Sequence, residues 1–228
     1  MSNETRINVA FDLYGTLVDP IGIAAEVDRV VSGGRGDDLA RLWRSKQLEY
    51  SFRMTAMGQY WDFGWITERA LGFAVASTGV DVTSEATKHL IECYDRLPPF
   101  PDALPALRTL AADSQRVAVF SNGSPDMIER SLENSGLGEY VRTKVSVDDV
   151  RAFKPSPVTY RHAADVLGVP AHDVVLVSCN SFDIVGAAAV GLRTVWVNRS
   201  GSTFDTIGDQ PEATVTNLAE LPAVLRTW

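Results

Sequence analysis

A chain of 228 residues can hold one ample core, or a core domain with a smaller insertion. Its 45% hydrophobic and 22% charged residues fall in the ordinary globular range. The formal net charge of -8 repels phosphate backbones and anionic lipid, so neither nucleic acid nor a membrane surface is an expected partner. An acidic substrate would need cationic side chains placed locally against that global sign. The two cysteines, Cys93 and Cys179, suit a cytoplasmic protein with reduced thiols and not a disulfide framework. The opening residues, Met1 to Arg6, lack the basic-then-apolar order of a signal peptide, and no apolar run approaches bilayer length.

Residues 7–11 form the first β-branched run and predict a strand. Residues 18–98 then offer no good strand but several helical patterns. Leu39, Leu42, Trp43, Tyr50, Met54 and Met57 recur at helical spacing, after Asp37 or Asp38 as a cap and before Gly58. Such a stripe reads as packing. The stretch is far longer than an ordinary loop, so it is expected to be an inserted helical cap, with Pro98-Pro99-Phe100-Pro101 marking the return.

Strands follow at 116–120, 174–177 and 194–197, with weaker candidates at 144–147 and 214–216. The runs at 116–120 and 174–177 are almost continuously apolar, as strands buried on both faces of a parallel sheet should be. Ser124-Pro125-Asp126 opens a helix that Gly136 stops; Ser156-Pro157 opens another that Gly168 closes. Residues 183–190 form a third helix, ended by Gly191. This alternation predicts an α/β fold: a Rossmann-like open parallel sheet with helices on both faces. The core comprises 1–17 and 99–228, and the helical cap 18–98.

Ligands of such sheets bind beyond the carboxyl ends of the strands. Those ends carry Asp12, then Ser121-Asn122, then Lys154-Pro155, then Asp183. The four together resemble the haloacid dehalogenase superfamily, and the resemblance spans essentially the whole chain. Most members of that superfamily are magnesium-dependent phosphohydrolases with Asp-x-Asp in the first motif. This chain has Tyr14 in place of the second acid, and Cys179 where an acidic magnesium ligand usually stands. Tyrosine is a poor acid at neutral pH and sulfur a poor match for a hard cation.

The first motif, Asp12-Leu13-Tyr14-Gly15-Thr16-Leu17, is similar to that of the L-2-haloacid dehalogenase branch. So are the cap segment from Leu42 to Tyr50 with Phe63, the string from Ser178 to Asp183, and Trp196 to Arg199. This resemblance implies a cofactor-independent and metal-independent hydrolase, preferring S-enantiomers of small 2-haloacids. Asp12 would displace halide through an ester that water then hydrolyses to a 2-hydroxy acid. Arg44 and Asn122 would cradle the halide; Ser121 and Lys154 would hold the substrate carboxylate, with Lys154 also keeping Asp12 and Asp183 ionised. Asp183, with Asn180 and Ser178, would orient or activate the water, and Thr16 would steady Asp12. Leu13, Tyr14, Leu48, Phe63, Phe182 and Tyr160 would contribute to the substrate site. The same match implies a homodimer through the cap helices.

Two departures bear on the substrate: Ser45 where the branch often has Gln, and Phe182 where it often has Trp. They leave halogen and chain length open, including haloacetates and fluoroacetate. A magnesium-dependent phosphatase and a non-catalytic binding protein are the competing readings. The three histidines, His89, His162 and His172, fall outside the motifs.

Overall fold

The computed structural model describes residues 6–31 and 34–228, so all of the opening segment except Arg6 lies outside it. Strand β1 (Asn8–Phe11) is followed by four helices: α1 (Ala24–Val30), α2 (Gly36–Ala56), α3 (Phe63–Thr78) and α4 (Ser84–Tyr94). Then come α5 (Ala103–Ala112), β2 (Arg116–Ser121), α6 (Pro125–Ser135), β3 (Thr143–Ser146), α7 (Pro157–Leu167) and β4 (Val174–Ser178). The chain ends with α8 (Ser181–Ala188), β5 (Arg193–Val197), β6 (Ala213–Val215) and α9 (Leu221–Leu225).

The strands form one parallel sheet in the order β3-β2-β1-β4-β5-β6. β1 is central because the chain runs outward from it in both directions, which puts the switch point between β1 and β4. Every residue of β1 and β4 is buried, as their apolar runs require of strands covered on both faces. Helix ends obey local chemistry. Ser124 caps α6 by accepting from the Met127 N–H, and Gly136 stops it with φ of +70°.

Several boundaries shift by a residue or two from the sequence reading, among them those of β3, α2 and α8. β3 ends at Ser146, because Val147 opens a 3-10 turn whose Asp148 N–H bonds the Ser146 hydroxyl. α2 begins at Gly36, so Asp37 and Asp38 lie in its first turn, where they complement the positive helix end. α8 begins two residues before Asp183, with Asn180 at the capping position. Asp183 therefore does not cap the helix.

The inserted helices pack as the stripe predicts, with one exception. Leu39, Trp43 and Met54 are buried, whereas Met57 at the end of α2 is 59% exposed. Polar side chains tie the helices together: the Trp43 indole donates to the Thr67 carbonyl, Gln47 donates to the Thr67 hydroxyl, and Tyr94 donates to Gln47. The insertion leaves and rejoins the sheet at adjacent points. Asp19 N–H donates to the Pro98 carbonyl at 2.8 Å and Phe100 N–H to the Leu17 carbonyl at 2.9 Å.

Gly186 sets how closely α8 approaches α7. A Cβ there would stand 2.5 Å from the Tyr160 hydroxyl and 2.7 Å from Pro155 Cβ. Gly186→Ala is expected to destabilise the protein by about 1–3 kcal/mol through overpacking. A lower urea midpoint at unchanged m-value checks this; an unchanged midpoint would mean that the helices separate freely.

Candidate active site

The carboxyl ends of β1, β2 and β4 bring the motif residues to one place. Asp12 N–H extends the β1–β4 ladder by donating to the Val177 carbonyl at 3.0 Å. The chain then turns sharply, with Thr16, Leu17 and Val18 N–H groups all reaching the Leu13 carbonyl. Gly15, at φ of +98°, permits that turn where an L side chain would be strained. The turn aims Thr16 back at Asp12. Its hydroxyl donates to Asp12 Oδ2 at 2.9 Å and accepts from the Cys179 N–H, tying the β1 loop to the β4 loop.

Lys154 is the cation of the cluster and is 1% exposed. Its Nζ donates to the Phe120 carbonyl at 2.7 Å, to Asp183 Oδ2 at 3.0 Å and to Asp12 Oδ1 at 3.3 Å. The ammonium also stands 4.0 Å from the Phe120 ring centroid. An ammonium has three donors, and all three are engaged within the chain. A substrate carboxylate held by Lys154, as expected from the sequence, would share these donors. The Lys154 backbone N–H is taken as well, by Asn122 Oδ1 at 2.9 Å.

Donors remain for an anionic substrate. The Ser121 hydroxyl accepts from the Gly123 N–H and keeps its own proton free to donate. Among the described residues, neither the Leu13 nor the Tyr14 N–H has a backbone or side-chain acceptor, and Asn122 Nδ2 is equally unengaged. Arg44, on α2, is anchored by one nitrogen on the Tyr14 carbonyl at 3.0 Å. Asn180 Nδ2 reaches the same carbonyl at 3.3 Å and Asp12 Oδ2 at 2.8 Å. Ser178 lies one layer back and accepts from the Asn180 N–H.

Asp183 is fully buried, with Oδ1 accepting from the Tyr160 hydroxyl at 2.9 Å. Burial pushes its carboxyl above the ordinary range; Lys154 pulls it down and Asp12 pushes it up again. Burial is the largest of these influences, ahead of the Lys154 ammonium that opposes it. A carboxylate with a raised pKa, fixed by two donors, suits the role of proton acceptor.

The positions where phosphatases carry acids hold uncharged groups. Tyr14 is buried against Phe63 and Tyr94, its hydroxyl has no partner among the described residues, and burial holds its pKa well above the usual phenol value. Burial pushes the Cys179 thiol up to about 11, so it is neutral at physiological pH. This donor set does not fit a magnesium ion.

The remaining expected residues divide. Leu13 and Phe63 are buried, and Leu48 and Phe182 half-buried. Ser45 is exposed, because the helical turn of α2 points it away from Arg44, so it does not line the pocket. Three residues went unassigned in the sequence. Phe52 meets Phe182 edge-on at 5.1 Å, Tyr94 packs tilted against Tyr14, and Arg199 bonds the Gly15 and Thr16 carbonyls. Arg199 follows β5, so the strand-end rule could have found it.

Lys154→Met is expected to destabilise the fold by about 3–5 kcal/mol, because two buried carboxylates lose their cation. The sign with pH follows. Unpaired acids have raised folded-state pKa values, so the deficit should shrink as pH falls and one of them takes up a proton. Urea midpoints at neutral and acidic pH measure it; a deficit independent of pH would mean that the side chain acts through packing alone.

Comparison with known proteins agrees with this geometry. Residues 8–191 match the family of haloacid dehalogenase-like hydrolases. The chain is 38% identical to the haloacetate dehalogenase H-2 of Moraxella sp. (strain B) over 207 residues, 91% of this chain and 92% of that one. It is also 38% identical to the (S)-2-haloacid dehalogenase of Pseudomonas fluorescens over 211 residues, 92% of each. The L-2-haloacid dehalogenase of Xanthobacter autotrophicus, solved with chloropropionic acid covalently bound, superposes with a TM-score of 0.90 at 33% identity, covering 97% of this chain and 99% of that one. With a parallel sheet whose strand ends gather Asp12, Ser121, Lys154 and Asp183, and with relatives matching nearly its whole length, the chain belongs to the haloacid dehalogenase-like hydrolases.

Proposed function

We propose that this chain hydrolyses the carbon-halogen bond of short 2-haloacids, releasing halide and a 2-hydroxy acid with preference for S-enantiomers. The observation that carries the reading is the unequal environment of the two Asp12 oxygens. Oδ2 accepts from Thr16 and Asn180, whereas Oδ1 meets only the Lys154 ammonium at 3.3 Å. Oδ1 is thus the less restrained nucleophile.

In the first step Oδ1 forms a bond to the carbon bearing the halogen, and the halide leaves with the bonding pair. Arg44 and Asn122 receive it. Ser121 and the Leu13 and Tyr14 N–H groups hold the substrate carboxylate, with the Lys154 ammonium beside them. In the second step water attacks the carboxyl carbon of Asp12 and passes a proton to Asp183. Negative charge gathers on Oδ2, where Thr16 and Asn180 already donate. Collapse breaks the bond from the Asp12 carboxyl carbon to Oδ1, which leaves with the product and takes the proton held by Asp183 as the new hydroxyl; the water oxygen completes the restored Asp12 carboxylate and the second water proton passes to solvent. Tyr14, Leu48, Phe63 and Phe182 form the apolar wall that keeps bulk water away. Haloacetates belong among the substrates, since a haloacetate dehalogenase is as similar as the (S)-2-haloacid enzyme.

Residues 18–98 act as a cap over a core of 1–17 and 99–228. Supporting this division, the two chain crossings lie side by side, Asp19 bonding Pro98 and Phe100 bonding Leu17, and the insertion touches the core through Thr55 to Phe153, Tyr60 to Asp148, and Phe52 to Phe182. The two thiols are free, consistent with a reducing cytoplasm, and no described helix is long and apolar enough to cross a membrane. The cap also carries a homodimer contact. Tyr50, Met57, Trp65 and Phe73 line an open groove of about 560 Å³ between α2 and α3, with Trp61 exposed nearby.

Halide release from each enantiomer of 2-chloropropionate and from haloacetates, with EDTA present, tests the function. Release should be unaffected by EDTA and should vanish in Asp12→Asn; magnesium-dependent phosphate release without halide release would overturn the reading. Sedimentation velocity tests the dimer. Twice the chain mass is expected, falling to one chain in Phe73→Glu, and a monomeric wild type would remove the claim.

A further inference from the structure

Helices α1 and α4 bring together three side chains that the hydrolytic site does not use. Glu26 projects from α1, and His89 and Cys93 lie one turn apart on α4. Their oxygen, nitrogen and sulfur atoms all lie within 4.8 Å of one another. Cys93 Sγ is 3.4 Å from His89 Nε2, and that nitrogen is 3.6 Å from Glu26 Oε2.

These separations have a specific meaning. Zinc bonds of about 2.3 Å to sulfur and about 2.0–2.2 Å to nitrogen and oxygen, at tetrahedral angles, give donor-to-donor edges of about 3.3–3.6 Å. The two measured edges already stand at those values. The donor types suit the same ion, since thiolate and imidazole select a borderline metal over magnesium or calcium. We infer that Glu26, His89 and Cys93 form a zinc-binding site that clamps the first and last helices of the insertion.

The surroundings permit it. Glu26 offers its two oxygens separately: Oε1 pairs with Arg29, leaving Oε2 turned towards His89. Burial and then Glu26 push the Cys93 thiol up, and Arg96 beside it opposes them. A cavity of about 540 Å³ opens over the three residues, giving an ion a path in and leaving the fourth position to water. On binding, the thiol gives up its proton to solvent, neutral imidazole coordinates through Nε2, and nothing is oxidised or reduced.

The position gives the site a consequence. Gly22, Ile23, Leu97 and Pro98 line the same cavity, and they flank the two points where the insertion joins the core. A bound ion would therefore stiffen the base of the insertion. The inference does not depend on the hydrolytic reading, since none of the three residues bonds Asp12, Lys154 or Asp183.

Cobalt(II) titration of chelator-stripped protein tests the site. One equivalent should bind and produce a thiolate-to-cobalt charge-transfer band, which zinc abolishes by displacement. Cys179→Ser should keep the band and Cys93→Ser should lose it. His89→Gln should weaken cobalt binding roughly tenfold or more. Zinc should raise the unfolding midpoint of the wild type but not of Cys93→Ser. Absence of a charge-transfer band in the wild type, or its persistence in Cys93→Ser, would overturn the inference.

Discussion

The cluster around Asp12 depends on one buried ammonium. Lys154 sits where solvent cannot reach it, so its three donors need acceptors from the chain, and three strand ends supply them. Asp12 follows β1, Phe120 belongs to β2 and Asp183 lies just beyond β4, so the cation couples the loops on both sides of the switch point. An apolar replacement of such a cluster often matches or exceeds it in stability. Its presence is better explained by what it positions: two carboxylates held on one nitrogen at different distances, with different partners on their remaining oxygens.

The second constraint is backbone. Asp12 continues the sheet ladder, and the turn at Gly15 sends Thr16 back onto it. Thr16 also accepts from the Cys179 N–H, while Asn180, two residues after β4, reaches Asp12 Oδ2. Four residues from two loops thus fix one carboxyl group. Arg199 reinforces the arrangement from β5, pairing with Asp102 while it bonds the Gly15 and Thr16 carbonyls. The sheet sets the spacing of these loops, which is why short parallel strands matter to the chemistry.

Much of this was legible in the sequence wherever the signal was local. Apolar β-branched runs mark the strands, and Ser124, Pro125 and Gly136 bracket α6, because capping depends only on neighbours a few residues away. The motif residues were legible because strand ends are where ligands bind. What could not be read was direction and burial. Nothing local shows that a lysine before a proline turns inward, and the saturation of its donors depends on residues 142 and 29 positions away. The linkage of Tyr94 to Gln47 to Thr67 likewise joins three helices. Asp183 heads the helical run in sequence, whereas α8 starts two residues earlier, at Ser181.

Charge balance connects the two substitutions that separate this site from a magnesium phosphatase. Asp12 and Asp183 share Lys154, and half-buried Arg44 adds a second cation from the α2 side. An aspartate in place of Tyr14 would add a third carboxylate to a nearly dry site, and like charges at that range disfavour ionisation. A divalent cation would relieve this, but it would require an anionic ligand where Cys179 is held neutral by burial. Tyr14 and Cys179 are therefore two parts of one condition. Both avoid adding negative charge beside Asp12 and Asp183. The unpartnered Tyr14 hydroxyl is consistent with this: the position is occupied for its ring, which closes an aromatic wall with Phe63 and Tyr94, and not for its acidity.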